Sequence, residues 1–228
     1  MQFTGGYLTT SIGKKLLIAV SGLLILGFVI AHMVGNLQIY QGPEKLNNYA
    51  KFLKDLGPLL WVARLGLLVL ALMHVILTIQ VTRENSKARP VNYSYMKTVQ
   101  ATTASRFMIV SGITVLSFLI YHLLHFTLGV TNPEFHELKF NLNGESVSDV
   151  YAMVVMGFQQ PLVSLVYIIS IALLSWHISH GVASLFQTLG FANAKNVNTI
   201  QNISIGVAAV IFIGNVSIPL SILFGIVR

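Results

Sequence analysis

Five apolar runs, at about 14–40, 58–82, 104–130, 160–189 and 199–226, leave this chain few ways to fold. Wound as a helix, each is long enough to cross roughly 30 Å of hydrocarbon. The balance of the chain agrees: 54% of its residues are hydrophobic and 9% charged. A soluble domain of this length carries about a quarter charged residues. The expected fold is all-α, a single domain over 1–228 built as a transmembrane bundle of five helices.

The punctuation between the runs supports these bounds. Pro58 opens the second and Pro161 stands near the start of the fourth, both positions where a missing N–H does little harm. Asn132–Pro133 is expected to end the third, and Gly190 to close the fourth. The stretch 146–158, SVSDVYAMVVMGF, is apolar but short, and is expected to lie along the membrane interface. Lys14 and Lys15 ahead of an apolar run resemble a signal peptide, but the run is long and lacks a small-x-small cleavage pattern. It reads as a retained first span.

Charge distribution predicts the orientation. Lys14 and Lys15, then Arg83, Lys87, Arg89, Lys97 and Arg106 against Glu84, then Lys195, fall on one side. Glu134, Glu137, Glu145 and Asp149 fall on the other, where Glu44, Lys45, Lys51, Lys54 and Asp55 nearly balance. Basic connections stay in the cytoplasm, so the N-terminus is expected inside and the C-terminus outside. The formal charge of +7 resides in these connections and points to no nucleic-acid partner.

Four spans carry a histidine well inside the apolar run: His32, His74, His122 and His177. An ionisable ring in hydrocarbon is costly and marks a functional site. Counted from Lys15 and Arg106, His32 and His122 lie about 16–17 residues, roughly 25 Å, along outward-running helices. His74 and His177 lie about 16 residues beyond Pro58 and Pro161 on inward-running ones. The four therefore form an outer pair, His32 with His122, and an inner pair, His74 with His177, about 10 Å apart in depth. Facing imidazoles on a helical bundle suit the two axial positions of a haem iron, so four of the helices are expected to form a core for two haems. With no cysteine, the chain can hold neither an iron–sulfur cluster through thiolates nor a thioether-linked haem.

His125 and His180 each follow a candidate ligand by three residues, and either could replace it, shifted by roughly 4.5 Å. Otherwise they suit a hydrogen bond to a propionate or quinone. His136, in the acidic loop, is expected to be solvated. Gly35, Gly66, Gly112 and Gly181 lie on the histidine-bearing spans, where a porphyrin needs a helix without bulk, although small residues also serve plain helix packing. Arg64 stands at a level where it could pair with propionates of the outer haem; the alternative is snorkelling to the interface. By depth, Asn36, Gln38, Glu44 and Arg64 are the polar candidates for a quinone pocket.

Four segments resemble a known family: SGLLILGFVIAHMVGN at 21–36, LLWVARLGLL at 59–68 with His74, FLIYHLLHF at 118–126 and SWHISHGVASLFQTLG at 175–190. They are similar to the dihaem cytochrome b anchor of bacterial succinate:quinone oxidoreductase, in its single five-span form. The resemblance implies two haem b, a quinone (menaquinone), and two soluble partners, a flavoprotein and an iron–sulfur subunit, on the bacterial cytoplasmic membrane. The anchor is not catalytic for succinate itself but contributes to the quinone site. The resemblance implies the same ligand pairing, prefers His177 over His180 because Gly181 follows it by four residues, and matches Tyr121–His122 better than His125. Some related fumarate reductases carry a glutamate two residues before the fourth-span ligand; here that position is Ser175. A quinol:fumarate reductase anchor, or the cytochrome b of a formate dehydrogenase or hydrogenase, shares these features. A proton-coupled transporter would be colourless and would show internal repeats with broken helices, which are not read here.

Overall fold

The computed structural model describes Gly6 and residues 10–88 and 103–228, so Arg89 and Lys97 of the basic connection lie outside the described residues. The architecture is all-α, with five helices long and apolar enough to cross a membrane. Helix α1 (Ser11–Asn36) runs into a 3-10 turn, Leu37–Gln41. It is followed by α2 (Pro43–Asp55) and α3 (Pro58–Lys87). A short α4 (Thr103–Arg106) leads to α5 (Met108–His122), which ends in a π turn, Leu123–Thr127. Strands β1 (Lys139–Leu142) and β2 (Glu145–Ser148) come next, then α6 (Val150–Gln159), α7 (Pro161–Thr188) and α8 (Val197–Leu223).

The helix ends follow local chemistry. Thr10 caps α1 by accepting from the Gly13 N–H at 3.1 Å. Pro58 and Pro161 occupy the first turns of α3 and α7. Gly190, at φ 79°, closes α7 while the Phe191 N–H returns to the Phe186 carbonyl at 2.9 Å. The third span departs from its expected limits. It breaks at Phe107 and ends at Thr127, because Gly129 (φ 60°) turns the chain before Asn132–Pro133 is reached. His136 is not simply solvated: its Nε2 donates to the Leu128 carbonyl at 3.1 Å, satisfying an orphan acceptor at the helix end.

The stretch 146–158 is helical only from Val150 onward. Its first residues form β2, paired antiparallel with β1 across Asn143–Gly144, both at positive φ. That dipeptide suits a two-residue hairpin. Asp149 then caps α6, accepting from the Ala152 N–H at 2.9 Å. Helix α6 packs against α2, α7 and α8 and buries Val155, Gly157 and Phe158. Fully buried Asn47 fastens α2 to this cap, donating to Asp149 Oδ1 at 2.9 Å and accepting the Tyr151 N–H at 3.0 Å.

Within the bundle, α1 packs on α3 and α7, α5 on α7, and α8 along α7 and α1. Among the described residues, helix α3 meets only α1 extensively and fully buries none of its own side chains. The seam between α7 and α8 is drier, built on Ile178, Val182, Ala208 and Ile211. Lys14 at the start of α1 pairs with Glu84 near the end of α3, bringing the basic ends of two antiparallel helices together.

Candidate metal centres

Helices α1, α3, α5 and α7 each present one of the four intramembrane histidines. His32, near the end of α1, and His122, at the end of α5, face each other with ring centroids 5.8 Å apart and planes at 87°. A metal held by two imidazoles at about 2 Å from each nitrogen sets ring centres about 6 Å apart, so this spacing fits one ion shared axially. Phe28 stacks on His32 at 5.4 Å, and Phe118 leans on His122 at 6.0 Å. Each phenylalanine precedes its histidine by one helical turn.

The second pair sits deeper toward the basic end. His74 Nδ1 lies 3.2 Å from Ser21 Oγ and 3.2 Å from the Ile18 carbonyl, both on α1. A carbonyl only accepts, so this nitrogen carries the proton and Nε2 keeps its lone pair. His177 Nδ1 lies 3.2 Å from Ser111 Oγ on α5. The Ser111 proton goes to the Met108 carbonyl at 3.1 Å, so the oxygen accepts from the imidazole. Both inner rings thus have Nδ1 engaged by a neighbouring helix and, among the described residues, no hydrogen bond at Nε2, the usual arrangement behind a metal-bound histidine.

Contacts along α1 and α5 place the inner and outer histidines at different levels of the bundle. Gly22 abuts the His74 ring, and Gly112 the His177 ring. Each lies ten residues before the outer-pair histidine of its own helix, or about 15 Å along the axis. Counting from span ends treats those ends as level; contacts along one continuous helix give the spacing directly.

The neighbouring histidines occupy other positions. His125 lies in the π turn and is 1% exposed, enclosed by Tyr121, Phe126, Phe135 and Tyr167. Its Nδ1 is 3.0 Å from the Tyr167 hydroxyl, which is also 3.3 Å from His122 Nδ1. His180 turns Nε2 to Ser184 Oγ at 3.0 Å. The Arg64 guanidinium lies over the Trp61 ring at 5.1 Å, and among the described residues no carboxylate pairs with it. Asn36 ends α1, Gln38 lies in the following 3-10 turn, and Glu44 is exposed in the first turn of α2. In the loop beyond, the Asn132 amide holds the Glu134 carboxyl below its usual range through a 2.8 Å hydrogen bond.

The glycines divide by role. Gly35 packs against the Tyr49 ring and serves helix contact, whereas a side chain at Gly66 or Gly181 would meet nothing within 4 Å. Gly181 follows His177 by one turn. Ser175 is buried on the α7 stripe of Ile171, Ile178 and Val182, and its hydroxyl lacks a partner among the described residues.

Among the described residues no three His, Asp or Glu side chains converge on one point. Ser21, Ser111, Gly22 and Tyr167 join the histidines at these sites without a signal of their own in the sequence. No family model, curated protein or solved structure matches this chain.

Proposed function

We propose that the chain is a dihaem cytochrome b that anchors a succinate:quinone oxidoreductase and carries electrons between its iron–sulfur subunit and a quinone, menaquinone in the type it resembles. The carrying observation is four imidazoles on four helices, with His32 facing His122 and the inner two, His74 and His177, each bound at Nδ1 by a hydroxyl of the next helix. His32 and His122 would hold one haem b, His74 and His177 the other. A haem so held supplies reversible one-electron chemistry. Two histidines on each iron would leave no open position there for oxygen or other small ligands. The open sides of Gly66 and Gly181 suit the flat face of a ring.

Tyr167 has one hydroxyl proton for two imidazoles. With His122 ligating through Nε2, its Nδ1–H donates to Tyr167, and Tyr167 donates to His125. The flavoprotein and iron–sulfur partners dock at the basic end, around Lys14, Lys15, Arg83 and Lys87. Quinone lies toward the acidic end, where Asn36, Gln38, Glu44 and Arg64 are the polar groups within reach. The same arrangement serves succinate oxidation or fumarate reduction.

Haem counting in single-ligand variants tests the assignment. Wild type should carry two haems per chain, and H74A and H122A one each, with different haems lost. Two haems in H74A would overturn it. Purification from native membranes should bring a flavoprotein and an iron–sulfur protein along; their replacement by a molybdenum or nickel subunit would transfer the chain to the formate dehydrogenase or hydrogenase reading.

A further inference from the structure

We propose that Ser21–Gly22 and Ser111–Gly112 are two copies of one device that seats the inner imidazoles, with the two serines as positioning residues for His74 and His177. The inference rests on the haem reading above. Residues 20–32, VSGLLILGFVIAH, align without a gap on 110–122, VSGITVLSFLIYH. Seven of these thirteen positions are identical: Val, Ser, Gly, Leu, Phe, Ile and His. Taken as a string the match is modest, because apolar helices share composition. Its weight comes from what the shared residues do.

Each serine meets Nδ1 of a histidine on the neighbouring antiparallel helix, at 3.2 Å in both copies. Each following glycine abuts Cε1 of that same ring; an added Cβ would lie 3.2 Å away at Gly22 and 3.7 Å at Gly112. Each phenylalanine packs on the histidine one turn later, and the two closing histidines face each other. Serine and histidine are eleven residues apart, which is about 16 Å of rise and about 20° beyond three whole turns. One helix face therefore holds a neighbour's ligand at one depth and offers its own at the other.

The serines do more than pack. Both donate their proton to their own helix, Ser21 to Leu17 at 2.7 Å and Ser111 to Met108 at 3.1 Å, so each oxygen faces the imidazole as an acceptor. An acceptor on Nδ1–H makes Nε2 the better ligand and favours ferric over ferrous iron. The copies differ in one respect. His74 also has the Ile18 carbonyl, whereas no second acceptor is seen for His177 among the described residues. Removing Ser111 should thus act more strongly than removing Ser21.

The test is a redox titration of the intact complex in S21A, S111A and S111T, with the inner haem identified by its absence in H74A. In S111A the inner haem should shift toward the ferrous form by roughly tenfold at fixed potential, about 59 mV upward for one electron. S21A should shift it less, S111T should restore it, and the outer haem should stay in place. Loss of the inner haem in S111A with recovery in S111T supports the proposal equally. An unmoved inner haem in S111A, or loss that S111T does not restore, overturns it while leaving the dihaem assignment intact. A wild-type complex without low-spin haem overturns that assignment and this inference together.

Discussion

Removing the hydroxyl of Tyr167 should loosen the acidic end of the bundle while leaving its packing in place. The ring is 3% exposed and sits among Phe118, Tyr121, Phe126 and Phe158 at centroid distances of 4.9–5.8 Å. Y167F keeps every one of those contacts and deletes only the oxygen between His125 and His122. His125 is 1% exposed, so its Nδ1 would be left dry and unpaired. A buried polar group in that condition costs about 1–3 kcal/mol. The His122 contact, longer at 3.3 Å, adds toward the lower end of that range. The assay is unfolding in mixed micelles followed by circular dichroism, run as a double-mutant cycle with H125L. If satisfying His125 is what Tyr167 does, Y167F should destabilise the wild-type background by about 1–3 kcal/mol and the H125L background much less. Equal losses in both backgrounds, or no loss in either, would refute the reasoning.

Other outcomes follow from single contacts. N47A removes both bonds that fasten α2 to α6 and should cost about 1–3 kcal/mol in the same unfolding assay, with proteolysis of the 43–55 segment rising. G157A places a methyl 2.8 Å from the Phe126 ring and 3.2 Å from His125, so it should destabilise the outer site by about 1–3 kcal/mol and broaden the outer haem's spectrum. G190A forces alanine into φ 79° and should cost about 1 kcal/mol of stability without altering haem content. G22A crowds His74 at 3.2 Å, whereas G112A meets His177 at an ordinary 3.7 Å, so inner-haem occupancy should fall in the first and hold in the second.

What could be read from the sequence was whatever depends on local or one-dimensional signals. Pro58, Pro161 and Gly190 mark helix ends through backbone chemistry, which is why α3 and α7 begin and end close to their expected limits. The third span misled because Asn132–Pro133 outweighed Gly129, although a glycine at positive φ stops a helix equally well. The Asn143–Gly144 turn was visible but lay beside an apolar stretch that favoured a helix reading. Facing of His32 and His122 was accessible because depth follows from counting residues along a rigid helix. Tyr167, Ser21 and Ser111 were not accessible in that way. A tyrosine or serine inside an apolar run looks like packing until its partner on another helix is known, and rotation about the helix axis is set by tertiary contacts. Only the eleven-residue Ser-to-His spacing, occurring twice, could have singled out the serines.

The central claim is that two irons are each held by a facing pair of imidazoles, and the most direct measurement is a dithionite-reduced minus oxidised spectrum of the purified complex with haem quantified per chain. The account predicts b-type absorbance and two low-spin haems. A colourless chain, or one haem that survives loss of either His74 or His122, would contradict it.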